Sequence, residues 1–415
     1  MDLSEQQKQL PNIIIDLGSN SIKFGFSSDL YPKHVIPNIT GKIKYNEFSP
    51  IKSYHNYYCG YDALYNSPSL DLSYPLIENC GKISSEHVKD YEKIFHYIFK
   101  EKLGVEEYNY NIFIIDSIFT TVKEQEIIAQ ILFEKFKIFN LHFEPQSVMS
   151  LYSTSKTSGL IVNSGEMSTV IVPIYEGYII SDCINKFPIG GNILTKKFVE
   201  KYKKDFDLYN VCNQFYMGQK IKEKYSEILP SHKDYEDLMS KQEVNKKEYN
   251  LPDGNIIEVG NEIYEIPESI FSPEILNVQT KTLPETIVES INNCAISTKK
   301  ELFNNIILGG GNTCIQGFDQ RLKSEIINLK KGNCGIISLD ERGYSAWIGA
   351  SRISTLGNFD GQWIPRTDYF NGRGIMQNDY LFNYSGLYDK KRKQISLDDN
   401  INSDELYKKL IMEKI

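Results

Sequence analysis

Short apolar runs that break at small polar residues mark both halves of the chain. The run Ile13-Ile14-Ile15 leads into Asp16-Leu17-Gly18-Ser19-Asn20-Ser21-Ile22-Lys23, and Leu160-Ile161-Val162 leads into Asn163-Ser164-Gly165-Glu166-Met167-Ser168. In both places the pattern predicts a buried strand, a tight turn and a second strand. One such hairpin is an ordinary feature, but two similar ones predict duplicated domains that face a common ligand cleft.

The turn residues are suited to binding phosphate. Backbone N–H groups around a glycine form an anion-binding concavity, and Lys23 can add a positive charge. Asp16 and Glu166 supply oxygen atoms for a hydrated Mg²⁺ ion. The two hairpins are therefore candidates for a metal and polyphosphate site.

Between the hairpins and after them, strand patterns alternate with helix patterns. The periodicity predicts helices over 88–100, 123–136 and 318–329, and strands over 111–116 and 305–311. This alternation is typical of mixed α/β lobes with helices against sheets. The charged segment 201–249 is predicted to be helical and peripheral, and 45–57, which contains Ser49-Pro50, to be an exposed loop.

Length and composition restrict the functional class. A chain of 415 residues with 41% hydrophobic and 24% charged residues is expected to form two globular domains. The 46 Lys and Arg against 54 Asp and Glu give a net charge of −8, which disfavours a nucleic-acid backbone as the main partner. Seven widely spaced cysteines without a C-x-x-C motif indicate reduced thiols in a cytosolic or nuclear protein. No signal peptide or membrane span is predicted.

The segment 383–415 differs from the rest of the chain. It contains the basic run Lys390-Lys391-Arg392-Lys393 and a short amphipathic stretch that Ser403 could cap. Both a solvated tail and a helix that docks on a partner fit this pattern.

A third glycine-containing turn completes the set. The strand Ile306-Ile307-Leu308 ends in Gly309-Gly310-Gly311-Asn312-Thr313, where the missing side chains allow a flat ligand or a phosphate to approach the backbone. With the two hairpins, this turn resembles the nucleotide cleft of actin and the actin-related proteins. The resemblance extends over 13–382 and includes Val172-Pro173-Ile174-Tyr175-Glu176-Gly177-Tyr178, Leu251-Pro252-Asp253-Gly254-Asn255, Gly260-Asn261-Glu262 and Tyr344-Ser345-Ala346-Trp347-Ile348-Gly349-Ala350-Ser351.

The resemblance implies an α/β, actin-like fold of the Hsp70/hexokinase type, with two duplicated lobes, a nucleotide cleft and four subdomains. The outer lobe is expected to comprise 1–153 with 345–382, and its small subdomain about 38–74. The inner lobe is expected to comprise 154–344, with a peripheral subdomain at about 190–279. The remaining residues, 383–415, form a C-terminal extension.

The resemblance also implies that ATP or ADP binds together with Mg²⁺. The expected binding residues are Asp16, Gly18, Ser19, Lys23, Gly165, Glu166, Lys222, Glu223, Gly310, Gly311 and Cys314. Asp16 and Glu166 are expected to hold the metal through water, and Gln146 to position the water that attacks the γ-phosphate.

Several positions depart from the actin pattern. Asn163 stands where actin has an aspartate and Val170 where it has a histidine that organises the hydrolytic water, so at most a slow ATPase is expected. Gly343 and Gln219 replace a lysine and an arginine on the adenine side, which is expected to lower nucleotide affinity. Arg352, another departure, is polar where the binding cleft of actin is more apolar, which favours altered partners.

These features favour a divergent actin-related protein that is mainly a structural subunit of a cytoskeletal assembly. Its expected partners are other actin-family or cytoskeletal proteins in a hetero-complex, in the cytoplasm. Two alternatives are open: a polymerising actin-like ATPase, and a nuclear subunit of a chromatin-remodelling complex, to which the basic run at 390–393 points.

Overall fold

The computed structural model of the protein describes residues 11–44, 57–78, 80–207, 209, 211–241 and 246–373. The described residues up to Thr157, together with those from Tyr344 onward, form one compact unit, here unit 1, and those from Ser158 to Gly343 form unit 2. The predicted loop at 45–57 lies outside the described residues except for Tyr57, which begins a strand. The extension at 383–415 also lies outside them.

The part of the chain up to Thr157 forms two kinds of element, short strands and short helices. They are β1 (Ile13–Leu17), β2 (Ser21–Phe26), β3 (His34–Pro37), β4 (Thr40–Ile43), β5 (Tyr57–Cys59), α1 (Gly60–Tyr65), β6 (Leu70–Ser73), α2 (Val88–His96), β7 (Asn111–Asp116), α3 (Val122–Gln130), β8 (Asn140–Pro145) and α4 (Gln146–Tyr152). Helices α2 and α3 continue as wider π-helical turns over Tyr97–Leu103 and Ile131–Lys135.

The chain from Ser158 to Gly343 begins with strands and continues mainly as helices. Its elements are β9 (Gly159–Ser164), β10 (Thr169–Tyr175), β11 (Tyr178–Ile179), β12 (Asn185–Phe187), α5 (Gly191–Lys201), α6 (Val211–Tyr225), α7 (His232–Ser240), β13 (Lys247–Asn250), β14 (Ile256–Val259), α8 (Glu262–Glu268), α9 (Leu283–Asn293), α10 (Ile296–Asn304), β15 (Ile306–Gly309), α11 (Phe318–Lys330) and β16 (Ile336–Ile337). Unit 1 then resumes with α12 (Ser345–Ile353), β17 (Ile364–Pro365) and α13 (Arg366–Asp368).

Unit 1 is built on a six-stranded sheet with the order β17-β8-β7-β1-β2-β3. Strands β1 and β2 form the predicted antiparallel hairpin, while β7 and β8 run parallel to β1. All five residues of β1 are buried, because the strand lies in the middle of the sheet with elements on both faces. Its polar residue Asp16 is thereby placed at the carboxyl end of a central strand.

Unit 2 repeats this pairing scheme. Its main sheet has the order β11-β10-β9-β15-β16, with β12 added against β10. Strands β9 and β10 form the second predicted hairpin, and β15 runs parallel to β9 as β7 runs parallel to β1. The repeated hairpin-plus-parallel-strand arrangement agrees with the duplicated α/β fold expected from the sequence.

Two helices of unit 1 pack closely through small residues. Gly349 of α12 lies so near the backbone oxygen of Met149 on α4 that a Cβ could not be accommodated there. Ser345 and Ser150 are joined by a hydrogen bond of 3.0 Å, and the buried Trp347 donates from Nε1 to the carbonyl oxygen of Ile14. The chain after Tyr344 thus completes the core begun by β1.

One prediction for the peripheral part of unit 2 is wrong. The segment 201–249 is helical in α6 and α7, but Lys247–Asn250 form a strand rather than a helix. This strand pairs with Ile256–Val259 across a turn in which Gly254 has a φ of +89°. The charged composition suggested a helix here, but pairing with the second strand of the hairpin stabilises a strand instead.

Candidate functional site

Asp16 is the centre of a polar cluster in unit 1. It is 2% exposed, and its two carboxylate oxygens accept hydrogen bonds from different side chains. Lys23 Nζ lies 2.9 Å from Oδ2, and Gln146 Nε2 lies 2.7 Å from Oδ1. Lys23 reaches Asp16 because the two residues are cross-strand partners in the β1–β2 hairpin, and Gln146 because α4 begins directly after β8.

The turn between β1 and β2 is tight and internally bonded. A Cβ on Gly18 would lie 2.5 Å from the carbonyl oxygen of Ser21, so a larger residue would force the turn open. Asn38 closes the turn from the neighbouring strand, since its Nδ2 donates to the carbonyl oxygen of Gly18 at 3.0 Å. Ser19 lies at the tip of this turn and is partly exposed.

The β9–β10 turn in unit 2 is held from outside by an amide. Asn312 Nδ2 donates to the carbonyl oxygen of Gly165 at 2.7 Å and to Ser164 Oγ at 3.2 Å. Ser164 Oγ is also 2.7 Å from Thr169 Oγ1, its cross-strand partner. The two hydrogen bonds from Asn312 therefore fix the second glycine turn relative to the loop after β15, and the Ser164–Thr169 bond closes the turn itself.

Three polar side chains converge on Gly191, at the start of α5. A Cβ on this glycine would lie 2.7 Å from Glu166 Oε2, 2.9 Å from Lys222 Nζ and 3.0 Å from Asn312 Oδ1. Lys222 is 6% exposed, and its Nζ donates to the carbonyl oxygen of Gly191 at 3.0 Å. These groups thus form a small cradle with a carboxylate, an ammonium and an amide around a residue that has no side chain. We call it the Gly191 cradle.

The buried carboxyl group of Glu166 lacks one hydrogen bond in this cradle, and its pKa is raised. Its Oε1 is buried and has no hydrogen-bond partner among the described residues. Burial raises the pKa of this carboxyl group and the nearby Glu223 raises it further, while the positive charge of Lys222 opposes the rise. A buried acceptor without a donor costs free energy.

The loop after β15 approaches the second hairpin through Gly310. This residue has a φ of +86°, and a Cβ on it would collide with the carbonyl oxygen of Ser164 and lie 2.6 Å from Asn163 Oδ1. Gly311 has open space where a side chain would be. Cys314 is exposed, and its Sγ is 3.5 Å from the position that a Cβ on Gly343 would take.

The structure brings most of the predicted binding residues together, but it places the side chains of Lys222 and Glu223 in different surroundings. Asp16, Lys23 and Gln146 form the unit 1 cluster, and Glu166 and Lys222 meet at the Gly191 cradle. Glu223 follows Lys222 in sequence but is exposed, and its carboxylate accepts from Gln219 and Lys220 on the same helix.

Sequence reasoning missed three residues of these sites, namely Asn38, Gly191 and Asn312. The pair Gly190-Gly191 ahead of a helical pattern was a usable signal. The two asparagines act through contacts with residues distant in sequence, which no local pattern reveals.

A family model described as Actin matches residues 7–377 of the chain. The chain belongs to the actin family. The match covers both hairpins, the glycine turn after β15 and all the candidate binding residues. It confirms the family and the actin-like α/β fold that the three turns predicted.

Two departures of this actin-family protein from the family pattern lie side by side. Asn163 on β9 and Val170 on β10 are direct cross-strand partners, and Lys186 on β12 pairs with Val170 on its other side. Residues opposite each other in a ladder share one face of the sheet. The amide and the isopropyl group thus replace a carboxylate and an imidazole at one place beside the second turn.

The actin-family protein has two further properties that bear on its site. Among the described residues, no cluster of three or more His, Cys, Asp or Glu side chains could hold a metal ion. In the same part of the chain, no helix has the length and apolar character needed to cross a bilayer. A metal bound directly by several protein side chains is therefore not indicated there.

Proposed function

We propose that this actin-family protein binds ATP or ADP with Mg²⁺ and acts mainly as a structural subunit of a cytoskeletal assembly. The observation that carries the proposal is the Gly191 cradle. There the buried ammonium of Lys222 and the carboxylate of Glu166 both lie within 3 Å of the position that a Cβ on Gly191 would take, and Oε1 of that carboxylate has no hydrogen-bond donor among the described residues. A ligand with hydroxyl groups and phosphates would satisfy both of these side chains.

In unit 1, the proposed ligands of the polyphosphate are the backbone N–H groups around Gly18 and Ser19 and the ammonium of Lys23. Lys23 is held against Asp16 and is therefore already oriented at the turn. Asp16, at the carboxyl end of a parallel strand, is placed to hold water molecules of a hydrated Mg²⁺ ion. That ion would neutralise phosphate charge.

In unit 2, Glu166 and Lys222 would bind the sugar side of the nucleotide, and the turns at Gly165 and at Gly310 and Gly311 would approach phosphate and base. This role of Glu166 differs from the sequence expectation, in which Glu166 belonged to the phosphate clamp and held Mg²⁺ through water. Its position in the Gly191 cradle, next to Lys222, supports the sugar-side role. Cys314, exposed beside Gly343, would border the base.

Hydrolysis is proposed to be slow at most. Gln146 could orient a water molecule, but its amide donates to Asp16, and an amide cannot take a proton. At the Asn163–Val170 pair, the aspartate and histidine of actin are replaced by groups that cannot serve as a base. The nucleotide would then act as a stabilising ligand rather than as a substrate that is hydrolysed.

The structural role follows from this arrangement. A bound nucleotide stabilises the folded protein by mass action, so that its partner-binding surfaces stay folded. The proposed partners are other actin-family or cytoskeletal proteins in the cytoplasm. The nuclear alternative rests on the basic run at 390–393, which lies outside the described residues.

Calorimetric titration of the purified protein with Mg-ATP and Mg-ADP tests the binding proposal. We expect heat of binding with both nucleotides, and a loss of affinity of about tenfold or more in Lys222→Gln, since a buried ammonium at the ligand is worth more than a surface charge. The matched control is Lys224→Gln, two residues further on the same helix but exposed. Absence of binding to the folded wild-type protein, or equal affinity in the two variants, would contradict the proposal.

A further inference from the structure

A cavity of about 420 Å³ opens on unit 1 at a place where three loops meet. Its walls come from the chain ahead of β7, from the chain between α3 and β8, and from the start of α13. Three of its lining residues are cations, Lys135, Lys137 and Arg366, and three are aromatic, Tyr108, Phe136 and Phe139. We call this cavity the basic pocket. Its volume lies in the range of sites that hold a ligand or a few side chains of a partner.

The basic pocket is separate from the candidate nucleotide residues. Strands β1, β7 and β8 are parallel, and Asp16 and Gln146 lie at or just beyond their carboxyl ends. The pocket lies at the opposite edge of the sheet, next to the first residues of β7 and β8. A six-residue strand spans roughly 20 Å, so one ligand does not reach both places.

Backbone hydrogen bonds fix the walls of the basic pocket. The N–H of Phe139 donates to the carbonyl oxygen of Tyr110 at 3.3 Å, and the N–H of Arg366 donates to that of Phe139 at 3.1 Å. All three loops are therefore joined at the ends of adjacent strands. The cations are presented from positions that the sheet determines.

The charge in the basic pocket is strongly positive. The single acidic residue in its lining, Glu107, is compensated by Lys100, whose Nζ lies 2.7 Å from Glu107 Oε2. Lys135 lies 3.7 Å from Glu92 and keeps 64% of its side chain exposed. Among the described residues, no carboxylate pairs with Lys137 or Arg366. This concentration of cations is unusual in a chain whose net charge is −8.

The shape of the charged groups favours carboxylates. The guanidinium of Arg366 lies over the ring of Phe370, 5.6 Å from its centroid, which leaves its edge to donate two parallel hydrogen bonds to a carboxylate. Tyr108 is 52% exposed and offers apolar surface beside the cations. The helical segment that ends at Lys135 also contributes partial negative charge from its last carbonyl groups, which opposes a doubly charged phosphate more than a single carboxylate.

We propose that the basic pocket binds an acidic segment of a partner protein. In this arrangement, Asp or Glu side chains of the partner pair with Lys137 and Arg366, and a neighbouring apolar side chain packs on Tyr108 and Phe136. This interaction is independent of nucleotide binding and gives the protein a defined surface for one partner of its assembly.

Fluorescence anisotropy with the full-length protein tests the proposal. The probe is a fluorescein-labelled peptide in which glutamates flank one leucine and one phenylalanine, and the comparison peptide has glutamine in place of every glutamate. We expect saturable binding of the glutamate peptide and no saturable binding of the glutamine peptide. We expect affinity to fall about tenfold in Lys137→Glu and further in the Lys137→Glu, Arg366→Glu double variant. Binding should also weaken as salt is raised.

The matched control is Lys89→Glu, an exposed lysine of unit 1 outside the pocket, which should leave affinity unchanged. Circular dichroism and retained nucleotide binding show that each variant is folded. Equal binding of the glutamine peptide, unchanged affinity in folded Lys137→Glu, or complete displacement by equimolar inorganic phosphate or oligothymidylate would overturn the proposal. Tighter binding of a peptide with the sequence of residues 396–406 would overturn it too, because the chain's own segment would then be the occupant.

Discussion

At the scale of single residues, the glycines and charged groups of the proposed nucleotide site are present, but Asn163 and Val170 stand where actin has groups that take part in hydrolysis. Asp16 retains two donors, and Lys222 retains its place at Gly191. The cross-strand pair of Asn163 and Val170 provides neither a base nor a proton acceptor of imidazole type. In the proposed site, nucleotide binding and hydrolysis would therefore depend on different residues and could be changed separately.

Restoring the family residues at that pair should increase hydrolysis. In the double variant Asn163→Asp, Val170→His, we expect phosphate release from ATP to rise by about 10²-fold, the low end of what positioned acid–base groups contribute. Release is measured in a coupled phosphate assay at saturating Mg-ATP. A control variant Val170→Thr, which keeps the branched shape, should remain slow. An unchanged rate in a double variant that still binds nucleotide would show that the slow step lies elsewhere.

A second residue-scale prediction concerns pH. Burial raises the pKa of Asp116 well above its ordinary value, the charges of Glu144 and Glu124 raise it further, and the hydrogen bond from Gln125 opposes the shift. A carboxyl with a raised pKa in the folded state stabilises the protein most below its ordinary pKa. That contribution is lost as pH rises through the raised pKa.

Asp116→Asn removes this titration. We therefore expect the melting temperature of the variant, relative to wild type, to be higher at pH 8 than at pH 5. Melting followed by circular dichroism checks this, with Asp71→Asn, at an exposed carboxyl, as the control. A difference that does not change with pH, or that changes in the opposite direction, would contradict the assignment.

At the scale of elements, glycine contacts decide how helices and turns fit together. The crossing of α4 and α12 depends on Gly349, whose Cα faces the backbone of Met149. Gly310 likewise packs against the second hairpin, since a Cβ on it would collide with the carbonyl oxygen of Ser164. Both contacts join segments far apart in sequence, so each is needed for the packing of its whole unit.

Gly349→Ala should consequently be strongly destabilising. A methyl group there collides with backbone rather than with a flexible side chain, and the helices must separate, at a cost of about 3 kcal/mol or more. Urea denaturation monitored by tryptophan fluorescence measures the loss, since Trp347 lies on the same helix. Gly357→Ala serves as the control, because a Cβ at Gly357 has open space. Similar stability of the two variants would show that the crossing adapts.

The elements also show how far sequence reasoning reaches. The strands at Ile13 and Leu160, and the helices starting near 88 and 123, follow from apolar periodicity because their buried faces are continuous. The strand at Lys247–Asn250 does not, because its stability comes from its partner β14 and from the turn at Gly254 rather than from its own composition. The pair Gly190-Gly191 could be read from the sequence, but the meeting of Lys222 and Asn312 at Gly191 could not, since both reach it through the tertiary fold.

At the scale of the whole molecule, the chain has the actin family's α/β fold, and the proposed role as a structural subunit makes a prediction about self-assembly. The repeated hairpin-plus-parallel-strand scheme gives each unit its own glycine-containing turn, and we propose that these turns bind phosphate. A protein that binds nucleotide and hydrolyses it slowly keeps one conformation for long periods, which suits a fixed subunit.

Sedimentation distinguishes the two roles. In Mg-ATP, we expect the purified protein to stay in the supernatant at concentrations where a self-assembling family member would pellet, and to release little phosphate. A pellet that forms with ATP, accompanied by phosphate release that follows assembly, would support the polymerising alternative. Nucleotide-free protein in the same buffer controls for aggregation.

The interruption of unit 1 by unit 2 has a consequence for biosynthesis. Trp347, which is fully buried beside β1, and strand β17, which completes the first sheet, are translated long after the first hairpin. Roughly 190 residues separate the two parts of unit 1, and at 5–20 residues per second this is a delay of about 10–40 s. During that interval the nascent chain carries apolar strands without their cover, so the yield of native protein in a cell depends on how well they are shielded from aggregation until the ribosome has supplied α12.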